Sequence, residues 1–109
     1  MSGVQQAVFQ NQRSFVPAGP AIAVAYNDTP FISTYPWSAG FGTKYANPAT
    51  LPTSVGRGVS FNPAGTAIAV AHDVSPFIST YPWSAGFGTK YANPATLPTD
   101  SGYGVAFSN

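Results

Sequence analysis

Apolar residues in this chain arrive in short bursts, each closed by turn-forming residues. Residues 67–71 read Ala-Ile-Ala-Val-Ala, an alternation of large against small with no polar position. Successive side chains of a strand point to opposite faces, so Ile68 and Val70 share one face and Ala67, Ala69 and Ala71 the other. Two apolar faces predict a strand covered on both sides, one of them by a close-packed neighbour. Before it, Val59 and Phe61 alternate about Ser60, and Asn62-Pro63-Ala64-Gly65 has the composition of a turn. After it come a second turn at residues 72–76, a third strand at 77–81, a third turn at 83–88, and a short fourth strand at 89–92 that stops at Asn93-Pro94. Prolines at positions 17, 20, 30, 36, 48 and 52 interrupt any helix in the first half of the chain. The pattern predicts a tight meander of four short strands and an all-β fold.

The whole pattern then occurs twice. Residues 30–53 and 76–99 are identical letter for letter, and residues 21–25 match 67–71, at a constant offset of 46 residues. A repeat of this length marks architectures in which one supersecondary unit cannot bury its apolar surface alone. The expected organisation is an arm at residues 1–12, a first unit at 13–57, a second at 58–103 and a tail at 104–109. The tail sequence Gly104-Val105-Ala106-Phe107 aligns with Gly58-Val59-Ser60-Phe61, the first strand of the second unit. Arg13-Ser14-Phe15 aligns with that strand as well, so two segments compete for one place in the first unit. The glycine–valine match favours the tail, supplied by a neighbouring chain, with the arm displaced to the outside.

Composition narrows the function classes. The chain has 109 residues, 15% of them aromatic, which is enough apolar surface to argue against disorder. Four basic and three acidic side chains leave a net charge of +1, too little to steer nucleic acid or an anionic membrane surface. Cysteine is absent, so disulfides, thiol chemistry and thiolate metal sites are excluded. No apolar run reaches the roughly 18 residues a spanning helix needs. Residues 1–15 lack the basic and apolar regions of a secretory leader, so an extracellular or particle-bound location implies another route of exit.

Residues 58–84, GVSFNPAGTAIAVAHDVSPFISTYPWS, resemble the inner half of a WD40 blade: an inner strand, a Pro/Gly turn, an alternating strand, an Asp-containing turn and a third strand. With NPATLPT and GVAFS, the chain is similar to the recently amplified WD40-like propeller repeats, the near-identical blades of cyanobacterial and phage sequences. The family's WD dipeptide is replaced by Pro36-Trp37-Ser38, and the Gly-His pair before the inner strand is missing, so its Asp/His network is not expected. The resemblance implies two four-stranded propeller blades per chain. Closed propellers carry about 4–8 blades, so closure is expected through cyclic association of identical chains. A homotrimer with six blades is the first expectation and a homotetramer with eight the second.

Catalytic chemistry is sparse. His72 is the single histidine, its repeat counterpart is Tyr26, and it points away from adjacent Asp73 in extended chain. Ser75 nearby does not complete a nucleophilic arrangement, and a turn role accounts for all three residues. The chain is expected not to be an enzyme and to need no cofactor or metal, since it has neither paired carboxylates nor a histidine cluster. The aromatic residues are the richer signal: Tyr35, Trp37 and Tyr45 in the first unit, Tyr81, Trp83 and Tyr91 in the second. A pyranose needs an apolar ring to stack on and a few hydrogen-bond donors, which Arg57, Lys44 and Lys90 could supply. These residues are the candidate ligand site; the competing reading has Trp37 and Trp83 covering seams between blades. The functional expectation is a multivalent, lectin-like binding module made of copies of this chain. The alternative is a structural virion or fibre-forming protein with no small ligand, suggested by the Gln-rich arm.

Overall fold

The bursts of apolar residues form strands, and the turn signals fall between them. In the computed structural model, which describes residues 20–109, β1 (Ala21–Ala25) pairs antiparallel with β2 (Ile32–Pro36). A second antiparallel sheet runs β3 (Gly56–Phe61), β4 (Ala67–His72), β5 (Ile78–Pro82), with β4 in the centre. There is no helix among the described residues. The arm at 1–12 and the Arg13-Ser14-Phe15 segment lie outside the described residues.

Turn chemistry sets the strand ends. Asn62 opens the β3–β4 turn: its carbonyl accepts from the Gly65 amide at 2.9 Å, and its Oδ1 accepts from the amides of Thr66 and Ala67 at 2.8 and 3.0 Å. Gly65 takes φ +73°, a left-handed conformation that costs glycine nothing. The longer β1–β2 and β4–β5 loops are alike. Phe31 and Phe77 both have positive φ, and their carbonyls accept from the amides of Tyr26 and His72, each at 3.0 Å. The third strand of each unit therefore starts one residue later than its apolar pattern, at Ile32 and Ile78.

The expected four-stranded meander is not complete in either unit. Among the described residues the sheets have two and three strands, and they do not form a closed propeller. Residues 43–46 and 89–92 do not form a fourth strand. Each contributes one ladder-like bond, from the amides of Tyr45 and Tyr91 to the carbonyls of Thr34 and Thr80, both at 2.9 Å. The reason is local. Lys44 Nζ folds back onto the Tyr45 carbonyl and Asn47 Oδ1, and Lys90 does the same with Tyr91 and Asn93. The lysine thus takes the carbonyl a ladder would use, and Pro48 or Pro94 follows with no amide to donate.

Each sheet has two distinct faces. Partners directly opposite share a face. In the second sheet Ala69 and Thr80 oppose each other on what is here termed the alanine face, while Ile68 and Tyr81 oppose each other on the aliphatic face. The first sheet repeats this with Ala23 and Thr34 against Ile22 and Tyr35. The core lies where the alanine face of the first sheet meets the aliphatic face of the second. It is built of Ile32, Ile68, Val70, Tyr81 and Trp83, with Ala21, Ala23 and Tyr45 packed against it.

Candidate functional site

The seam between the two units brings together three of the six candidate aromatic residues, Tyr45, Tyr81 and Trp83. Trp83 is 3% exposed, its ring set edge-on against Tyr45, Phe61 and Phe87 at centroid distances of 5.0, 5.2 and 5.2 Å. Offset and edge-on geometries of this kind match the positive rim of one ring to the negative face of another. Tyr81 is fully enclosed, and its hydroxyl donates to the Thr50 carbonyl across the seam at 2.7 Å. Burial pushes the Tyr81 phenol up to about 12, so it stays a neutral donor. Thr53 Oγ1 reaches the carbonyls of Val74 and Ser75, at 3.1 Å each. Thr34 Oγ1 is buried with no hydrogen-bond partner among the described residues.

The outer faces repeat the two halves of that seam, uncovered. On the first sheet Ile22, Val24 and Trp37 are 37%, 45% and 41% exposed, and Phe41 stands edge-on to Trp37 and Tyr35 at 5.2 Å. On the second sheet Ile78, Thr80, Lys90, Tyr91, Asn93 and Pro94 line a groove of about 300 Å³. Tyr91 is half exposed there, whereas its counterpart Tyr45 packs against Trp83. Pro48 is buried and Pro94 is exposed. Trp37 and Tyr35 therefore lie on one outer face and Tyr91 on the other, so the six aromatic candidates do not converge on one pocket.

His72 sits inside the seam as well. It is fully buried, with Nδ1 3.0 Å from the Val74 carbonyl and Nε2 2.9 Å from Ser79 Oγ. A carbonyl can only accept, so Nδ1 carries the proton and the neutral ring accepts at Nε2 from the Ser79 hydroxyl. Burial lowers the His72 pKa below its ordinary value, with the Val74 carbonyl opposing and the Lys90 charge assisting. In the first unit Tyr26 takes this place and bonds Ser33. A histidine–serine pair enclosed this way has no path to substrate, and its chemistry is that of a satisfied buried polar group. Among the described residues no group of three metal-ligating side chains exists.

Arg57, the candidate donor, is committed to Asp73 through two bonds of 2.9 and 2.7 Å, and it stacks over Tyr103 at 5.4 Å. The Arg57 hydrogen bond holds the Asp73 carboxyl below its usual range. Sequence reasoning missed this pair and the Tyr91 groove. Arg57 and Asp73 are 16 residues apart in the chain, and the groove residues are identical to their counterparts in the first unit. Set against protein-family models, curated proteins and solved structures, the chain matches none.

Proposed function

We propose that this chain is a non-enzymatic, self-assembling unit whose two sheets are blades of a WD40-like β-propeller completed by further copies, and that the ring presents its loops as a multivalent binding surface. One comparison carries the reading. Ile68 and Val70 are fully buried, whereas Ile22 and Val24, the same residues in the first unit, are 37% and 45% exposed. Fully burying such a side chain is worth about 1.5–3 kcal/mol, and contiguous apolar faces of this kind on soluble proteins mark interaction sites. Three copies would make six blades and four would make eight, within the range of closed propellers. Several equal sites on one ring would bind a repetitive target with avidity beyond that of any single site.

The tail supports the same reading. Gly102 donates to the His72 carbonyl at 3.0 Å, as Gly56 donates to the Tyr26 carbonyl at 3.0 Å. The chain therefore leaves the second sheet as it leaves the first, and after Gly56 it becomes β3. Residues 104–107 carry the β3 sequence and take no strand partner among the described residues. In the assembly they become the first strand of the next copy's first blade, beside β1. Native mass spectrometry tests the reading: a trimer or tetramer is expected, and a lone chain refutes it.

A second reading, glycan recognition, is favoured by the Tyr91 groove. A half-exposed aromatic ring flanked by Lys90 and Asn93 offers a stacking surface and donors for sugar hydroxyls. A glycan array decides it: binding abolished by Tyr91→Ala supports a sugar in the groove, and silence across a broad panel removes it.

A further inference from the structure

Resting on the assembly reading, we infer that the Tyr91 groove is the receptor for Trp37 of a second copy, so that chains join head to tail through a repetition of their own internal seam. The internal seam supplies the geometry. Trp83 meets Tyr45 edge-on at 5.0 Å and 87°, and the Tyr81 hydroxyl donates to the Thr50 carbonyl at 2.7 Å. The four counterparts at an offset of 46 are Trp37, Tyr91, Tyr35 and Thr96, each the same residue type. Trp37 lies uncovered on the aliphatic face of the first sheet, and Tyr91 lies uncovered on the alanine face of the second. One molecule thus carries both halves of the contact on opposite sides, and neither half can reach the other within that molecule. Docked as the internal seam is docked, Trp37 sets its edge on the partner's Tyr91, and the Tyr35 hydroxyl donates to the carbonyl of the partner's Thr96.

Charge does not oppose the fit. Lys90 at the groove rim is tied to Asn93 at 2.7 Å, as Lys44 is tied to Asn47 at 2.6 Å. Lys44 remains exposed although its seam is filled, so filling the groove leaves Lys90 in water too. Between β1–β2 and β4–β5 the aliphatic faces differ at Tyr26 against His72, and both side chains bond a serine of the neighbouring strand, Ser33 or Ser79. The contact is heterologous: two different patches meet, so each can be disabled separately.

That property supplies the experiment. Full-length Trp37→Ala keeps its groove and loses its knob; full-length Tyr91→Ala keeps its knob and loses its groove. Both side chains are exposed within the chain, so each variant is expected to retain the wild-type circular dichroism spectrum. If one does not, the other carries the test. Each alone is expected to weaken self-association by about 30-fold or more, the loss typical of a central aromatic anchor. Mixed in equal amounts, they are expected to give a one-to-one heterodimer and nothing larger, because only one intact knob and groove remain between them. Variants that both assemble like the wild type overturn this inference while leaving the ring intact. A Tyr91→Ala variant that loses sugar binding but still assembles assigns the groove to glycan and overturns it also. A wild-type chain that is single at micromolar concentration fails the assembly reading itself.

Discussion

His72 is the histidine at the internal seam, and burial sets its protonation. The neutral ring is satisfied by the Val74 carbonyl and the Ser79 hydroxyl; the imidazolium would have to sit desolvated beneath the first sheet. Its pKa in the folded chain lies below the value near 6.5 of an unfolded chain, so the unfolded state binds the proton more tightly. Stability should be flat from about pH 6.5 up to the tyrosine range, where ionisation of Tyr81 begins to oppose folding, and should fall as pH drops below about 6.5. Asp73 is depressed too, from a starting value of 3.8, so its contribution is lost only in stronger acid and leaves this window to His72. Tyrosine fills the position in the first unit, which makes His72→Tyr a substitution the fold already accommodates. Urea unfolding of the variant is expected to lose the decline between about pH 6.5 and 5; an unchanged decline would contradict the account of the histidine.

At the scale of the element, a strand's fate depends on what flanks it. β1 and β4 share the sequence Ala-Ile-Ala-Val-Ala, yet β4 is central and nearly all buried, while β1 leaves Ile22 and Val24 open. Two neighbours make the difference: β3, whose Val59 and Phe61 pair with Val70 and Ile68, and the first sheet, whose Ala21, Ala23 and Ile32 pack over that face. If residues 104–107 of another copy play that part beside β1, Val105 comes opposite Val24 and Phe107 opposite Ile22. The chain has no cysteine, so the register can be read by disulfide trapping. A mixture of Val24→Cys and Val105→Cys proteins is expected to form a mixed disulfide dimer under mild oxidation, since opposed antiparallel residues lie about 4.5–5.5 Å apart at Cα. Only like-with-like dimers, or none, would place the tail elsewhere. The strands and turns were legible in the sequence because alternation and turn residues act locally. The missing fourth strand was not, since it depends on Lys44 and Lys90 capping carbonyls through their side chains. Nor could identical residues reveal that Trp83 is enclosed and Trp37 exposed, because that difference comes from neighbours, not from residue type.

At the scale of the whole molecule, the two units form one complete seam and expose the two halves of another. A core of Ile32, Ile68, Val70, Tyr81 and Trp83 holds them together, and nothing in the charge pattern substitutes for burial on the outer faces. Of the aromatic residues first read as a sugar platform, Tyr45, Tyr81 and Trp83 are parts of this packing, and Trp83 and Tyr81 have no open ring face. Under the proposed assembly, the contacts that join the units within a chain are repeated between chains. Closure into a ring or growth into a filament then follows from the rotation between units. Sedimentation equilibrium of the purified chain across a dilution series reaching micromolar concentration measures this directly. A closed assembly of three or four copies, with no larger species growing as concentration rises, is the predicted result; a folded single chain throughout the series would contradict it.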